Sequence, residues 1–335
     1  MTLRSLALLL ALALLLGLAA CDLSSLMPGG TGGASDGDFT PTVYTEVTKD
    51  TFESTYADQL SPNERAIYDA VAALPAGTTS VDITFPEVPA LCRGRNPSDE
   101  EMNLLKADIS RFAANALYAA WLDFPTLFWL DHSRYSYNLE VTGDEENVVK
   151  LTRLTLNLSL TASADEIKSQ TEALARAVSD FLPLGKTPAE KIAYINTYLT
   201  ARIEYDLDAP HRASVIGALV DGKCVCEGYA RAFDYLCAMA GIDAVCIPGY
   251  GITKDTPEGE GHMWNAVALD GKFYAADVTW NDTTGENAYL LVGADTVCHD
   301  TAFGASHKPA MLTKEGPHKP FAFPAISPLG YGINP

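Results

Sequence analysis

Asp270-Gly271 limits the folding of this chain more than any other feature, because it joins two strand-forming runs, 262–269 and 272–279, through only two residues. An Asp-Gly pair in that place adopts the backbone of a two-residue hairpin turn. The turn sets a register in which Leu269 faces Lys272, Trp264 faces Asp277 and His262 faces Thr279. Asp277 then lies diagonally from His262 on one face of the pair, with Cα atoms roughly 7–8 Å apart. A slip of one residue would send the two to opposite faces. Ala266, Ala268 and Ala275 share the face of His262, and their small side chains predict that a helix packs there.

The helix predicted for that place covers 226–240, where Cys226, Tyr229, Ala230, Phe233, Cys237 and Ala240 recur at steps of three and four. Gly241 is a natural stop. Cys226 falls in the first turn, where free N–H groups and the helix dipole favour negative charge on its sulfur. The same N–H groups can steady an oxyanion. A thiol nucleophile needs a base, and the base needs an orienting group. Cys226, His262 and Asp277 supply nucleophile, base and orienter in chain order.

Each residue also has a plainer reading. A cysteine is often a small buried hydrophobe, His262 beside Trp264 fits a core histidine, and Asp277 fits a turn cap. Cys224 is the rival thiol, but it precedes the helix. Cys224, Cys226 and His262 could be metal ligands, yet they lack the paired spacings of zinc sites, so no metal is expected. Asn265 alternates to the face opposite His262, which argues against a direct role. Trp264, Trp280 and Tyr229 read first as packing residues, and Glu227 as a favourable contact with the helix dipole.

Three segments carry a resemblance to a known family: C-E-G-Y-A at 226–230, H-M-W-N at 262–265 and D-V-T-W at 277–280. Together they resemble the transglutaminase-like superfamily, in particular its secreted bacterial members, over about residues 190–295. The resemblance implies an α+β fold with a papain-like, transglutaminase-like core, in which a cysteine-bearing helix packs on an antiparallel sheet. It implies Cys226 as nucleophile, His262 as general base and acid, and Asp277 as orienter. I-E-Y-D at 203–206 is similar to the family's segment before the cysteine. On that likeness Tyr205 is carried as an oxyanion or substrate contact, with Trp264 beside it. The R-G-G-x-C segment of arylamine acetyltransferases is absent, and so is a calcium-loop signature. No cofactor is expected. The implied chemistry is attack on an amide or peptide carbonyl, a thioester, and its resolution by water or an amine. Hydrolysis of a peptide, protein or cell-wall amide is the preferred reading, and transamidation stays open. The alternative from another class is a non-catalytic surface binding module that keeps the groove.

The N-terminus bears on location. Arg4, an apolar run from Leu6 to Leu18, and L-A-A-C ending at Cys21 match a lipoprotein signal peptide at 1–20, with Cys21 lipidated. The expected place is the outer face of a bacterial cytoplasmic membrane. Residues 21–43 read as a flexible Gly/Ser-rich tether. A net charge of −20 argues against nucleic-acid partners and against polybasic binding to lipid, leaving the anchor to hold the membrane.

Residues 44–185 read as a smaller N-terminal α/β region and 186–335 as the catalytic domain. Helices are predicted at 62–74, after Ser98, at 163–182 and at 188–204, with a strand at 80–86. Leu127–Val141 and Val148–Leu160 form a predicted hairpin, and alternating leucines from Leu154 to Leu160 mark its buried face. D-F-P-T-L-F-W at 123–129 reads as packing. Loops at 253–261 and 281–287 are candidates for controlling access. Cys92, Cys224, Cys237, Cys246 and Cys298 leave an odd number once Cys21 and Cys226 are set aside, so no disulfide connectivity is readable. Oligomeric state is not readable either.

Overall fold

Four helices begin on a reciprocal cap. Ser61, Ser98, Ser163 and Thr187 each accept from the N–H three residues on, where a glutamate bonds back to the capping residue's N–H. Each box satisfies two donors that a helix start leaves without intrahelical partners. The helices are α1 (Pro62–Ala72), α2 (Asp99–Asp123), α3 (Ala164–Val178) and α4 (Pro188–Thr200). The computed structural model describes residues 51–332 apart from 53, 144–147 and 311–318. The expected signal peptide, the lipidated Cys21 and the 21–43 tether lie outside the described residues.

Among these helices runs a four-stranded sheet of β1 (Ser80–Ile83), β2 (Ala90–Arg93), β3 (Leu130–Thr142) and β4 (Val148–Leu160). The long β4 pairs with β3 along one edge and with β1 and β2 along the other, antiparallel throughout. Leu154, Leu156 and Leu158 alternate into the core, as the leucine pattern predicts. The 123–129 segment turns inward as well, with Phe124, Leu127 and Trp129 buried. Asp123 goes in with them and accepts from the backbone N–H groups of Tyr56 and Ala57 (both 3.2 Å) and from the Tyr68 hydroxyl (2.8 Å).

The second half begins with β5 (Glu204–Tyr205) and β6 (Lys223–Cys224), a short parallel pair, and α5 (Cys226–Met239). Gly241, at φ +69°, lies just beyond α5 in the left-handed backbone that the stop requires. Then come β7 (Ala244–Gly251), β8 (Glu260–Leu269) and β9 (Lys272–Ala276), followed by α6 (Val278–Thr284) and β10 (Leu290–Val292). After a small hairpin of β11 (Val297–Cys298) and β12 (Thr301–Ala302), the chain forms α7 (Phe303–Ser306) and β13 (His307–Pro309). The antiparallel sheet runs β10-β9-β8-β7-β13.

The hairpin register is the expected one, with Leu269 opposite Lys272 and Ala266 opposite Ala275. Two expectations are corrected. The second strand stops at Ala276 rather than 279, because Asp277 caps α6 by accepting from the Trp280 N–H at 3.0 Å. His262 therefore has no Thr279 across from it, and α6 takes up much of the expected 281–287 loop. The helix of Cys226 also meets the other face of the sheet. Asn265 Nδ2 donates to the Ala230 carbonyl at 3.0 Å, and Ala230 clusters with Cys246 and Met263. A buried amide needs a partner, and Asn265 Nδ2 reaches two on this face, the Ala230 carbonyl and the Cys246 sulfur at 3.7 Å.

One buried hydrophobic cluster extends from Phe52 to Phe321 and takes in residues on both sides of position 185. The described residues fall within one compact unit. The six described cysteines are free thiols. No described helix is long and apolar enough to cross a membrane.

Candidate active site

The site forms at the end of the second sheet where β8 begins and β9 finishes. Strand β8 presents His262, the end of β9 releases Asp277 into its capping position, and the first turn of α5 brings Cys226. His262 Nε2 and Asp277 Oδ2 are 2.6 Å apart. With Nε2 engaged, the other ring nitrogen is the one left for Cys226, whose thiol interacts with the same imidazole.

The Asp277 side chain is fully buried and that of His262 is 7% exposed. Burial alone would push the imidazole down, but the Asp277 carboxylate and the neighbouring Cys226 outweigh it and raise His262 to about 10. Burial would likewise push Asp277 up. The His262 charge, with hydrogen bonds from His262 and His307, holds it well below the usual carboxylate range. The resulting pair is an imidazolium and a carboxylate at neutral pH, shielded from water.

Cys226 is half-buried, whereas Cys224 is wholly buried and its thiol is pushed up by that burial. Accessibility therefore separates the two thiols. Val225, at the N-cap of α5, supplies no side-chain hydrogen bond. The cap therefore offers the first-turn N–H groups of α5 no side-chain acceptor. Tyr205 pairs with Cys224 across β5 and β6 and stays 46% exposed. Burial first, then the adjacent Cys226 and Cys224, raise its phenol, so it keeps its proton and can donate. Trp264 is buried, its ring 6.0 Å from His262 and stacked at 26°, and it meets the Phe303 ring edge-on at 6.3 Å. Glu227 goes to Arg231, 2.9 Å away one turn on, and Arg231 lies over the Trp121 ring.

The sequence reading missed His307. It comes from β13, thirty residues after Asp277, and its Nε2 lies 2.9 Å from the same Asp277 Oδ2 that meets His262. No motif surrounds it, and only the pairing of β13 with β7 brings it in. Among the described residues, His262, Asp277 and His307 form a converging set of metal-type ligands, while Cys224 does not join them. Direct hydrogen bonds of Asp277 to both rings already close that set.

A model of the transglutaminase-like superfamily matches residues 175–278. That segment is a transglutaminase-like domain. The match contains Cys226, His262 and Asp277 and stops short of His307. Kyphoscoliosis peptidase of Mus musculus is 31% identical over 173 residues, covering 47% of this chain and 26% of the relative. The Homo sapiens protein of that name is 32% identical over 178 residues, covering 48% and 27%. This chain thus spans about a quarter of the length of these curated relatives. The periplasmic domain of TgpA from Pseudomonas aeruginosa superposes with a TM-score of 0.26 at 14% identity, over 45% of this chain and 64% of that one. So loose a superposition adds nothing to the sequence match. Transglutaminase-like domains are generally cysteine-dependent enzymes, and residues 175–278 of this α+β chain match that superfamily.

Proposed function

We propose that this protein cleaves or exchanges amide bonds through Cys226, His262 and Asp277, with hydrolysis of a peptide, protein or cell-wall amide as its main reaction. The observation that carries the reading is His262 held between Cys226 and a fully buried Asp277 at 2.6 Å. A charged imidazole there stabilises a thiolate before substrate arrives and has a proton ready for the leaving group.

The Cys226 sulfur attacks the carbonyl carbon, and first-turn N–H groups of α5, with the Tyr205 hydroxyl, receive the developing oxyanion. His262 gives its proton to the amide nitrogen as the C–N bond breaks, which leaves a thioester and a free amine. His262, now neutral, takes a proton from water as the oxygen attacks the thioester, and the thiolate departs. An amine in place of water gives transamidation by the same proton transfers. Asp277 keeps its charge throughout and holds the ring in one tautomer. The signal-like start and Cys21 support a location at the outer face of a bacterial cytoplasmic membrane, reached through a lipid anchor.

The test is to incubate the full chain with dimethylated casein and a fluorescent primary amine, and to follow new termini and incorporated dye separately. New termini that vanish in Cys226→Ser, with little dye, are expected. Dye without new termini would make transamidation the main reaction. Neither signal, together with iodoacetamide labelling of Cys226 no faster than in His262→Ala, would overturn the enzyme reading and favour a binding module.

A further inference from the structure

We propose that His307 is a positioning residue for this reaction, donating its Nε2–H to the Asp277 oxygen that receives His262 and thereby fixing the carboxylate that orients the base. The proposal rests on the triad reading above. Asp277 Oδ1 accepts from the Trp280 N–H at 3.0 Å, and Oδ2 meets His262 at 2.6 Å and His307 at 2.9 Å. Three donors on two oxygens leave the carboxylate no freedom to rotate about its own axis. With only Trp280 and His262, one of the two anchors would be the catalytic ring itself, which must exchange protons during turnover.

The fold builds a place for this second ring. His307 pairs with Gly251 of β7, and Gly251 lies between it and β8, where His262 sits. A Cβ on Gly251 would come within 3.0 Å of the Trp280 ring and 3.4 Å of His262. The missing side chain lets the two histidine rings approach to 5.7 Å. His307 stacks on Phe303 at 3.8 Å and 9°, with the Trp280 ring at 4.3 Å and the edge of Trp264 at 5.1 Å. It is 2% exposed. A phenylalanine would satisfy that aromatic box, so packing alone does not call for a histidine.

What the histidine adds is hydrogen bonding at both ring nitrogens. Nδ1 lies 2.9 Å from Ser306 Oγ, and that hydroxyl also reaches the Phe303 carbonyl at 3.1 Å. A neutral ring that donates from Nε2 needs a donor at Nδ1. The Ser306 hydroxyl supplies it by turning its one hydrogen away from the Phe303 carbonyl, which the His307 backbone N–H still serves. Burial holds His307 below its ordinary value, against the pull of Asp277. A neutral donor suits the role, because it grips Asp277 without placing a second positive charge beside His262.

The experiment compares iodoacetamide labelling of Cys226 by mass spectrometry, at pH 7 with reductant, in the full chain and in three variants. Labelling in His307→Phe is expected to fall about tenfold, the lower end of what loss of an outer orienting partner costs. In His307→Gln, whose amide reaches the position of Nε2, it should stay within about threefold of the natural chain. Equal slowing in both variants, or slowing in neither, would overturn the proposal. Should His307→Phe fail to fold, histidine nitrogen NMR of the natural chain decides. Two protonated Nε2 signals, one of them lost in His307→Gln, support the role, and a His307 protonated at Nδ1 instead defeats it. Labelling of the natural chain no faster than His262→Ala would mean that the triad reading has failed, and the NMR result then judges the His307 hydrogen bond alone.

Discussion

Among the buried aspartates of this fold, Asp123 at the end of α2 and Asp277 just past β9, 4% and 0% exposed, keep very different company. The donors around Asp123 include two backbone N–H groups and the Tyr68 hydroxyl. Burial and then the Asp123 charge push the Tyr68 phenol well up, so it holds its proton. These donors do not titrate near neutral pH, and the carboxylate acts as a staple between α1, α2 and the chain before them. Asp277 is met by two imidazoles and one backbone N–H. Imidazoles can gain and lose protons, and the Asp277 charge biases where those protons sit, raising His262 to about 10. Depth is common to both sites, and the kind of donor separates them: groups that keep their protons meet Asp123, and two imidazoles with a backbone N–H meet Asp277.

The strongest way to break this contrast is to neutralise each acid. Asp277→Asn should lower amide turnover by ~10³–10⁴-fold; asparagine still caps α6, so the fall in melting temperature should be limited to what the lost charge pair with His262 contributed. The check is turnover beside a thermal melt, and a large loss of stability with little loss of turnover would merge the two classes. The next effect is pH-linked. His262 is raised to about 10, so its contribution to stability is complete below about 6.5, the unfolded value, and is lost as pH rises toward 10. Melts at pH 6.5, 8 and 10 should fall more steeply in the natural chain than in His262→Gln. Matching slopes would show that the pair stores no such energy. Asp123→Ala should cost about 2–4 kcal/mol in denaturant unfolding by stranding buried donors. The rate of Cys226 labelling in the folded fraction should not change. The smallest effect is expected at Gly249→Ala. Its Cβ would come within 2.3 Å of the Lys308 carbonyl and 2.6 Å of the Trp264 ring, a misfit of about 1–3 kcal/mol.

Much of this site was readable because its signals are local. Asp270-Gly271 specifies a register in two residues, and Ser98 with Glu101 announces a helix within four. The alternating leucines of β4 mark its buried face in the same way. Three things were not readable, for one physical reason. Asp277 ends a strand and caps a helix, and its sequence suits either conformation until the Trp280 N–H takes one oxygen. The face chosen by α5 depends on Asn265 finding the Ala230 carbonyl, a contact between residues 35 apart in the chain. His307 sits in a three-residue strand whose partner is β7, far earlier in the sequence. Tertiary partners settle each of these, and no window of neighbouring residues contains them.

Strand β13 has a second consequence, for how this chain can be divided. Its three residues pair with Gly249, Tyr250 and Gly251 at one margin of the second sheet. A chain ended at residue 278, where the family match stops, would leave those backbone groups open beside an aromatic pocket emptied of Phe303 and His307. Unpaired strand margins recruit other strands, usually from another copy of the same molecule. The minimal segment recognisable as a transglutaminase-like domain is therefore the piece most prone to self-association, and solubility should return when the polypeptide extends through Pro309.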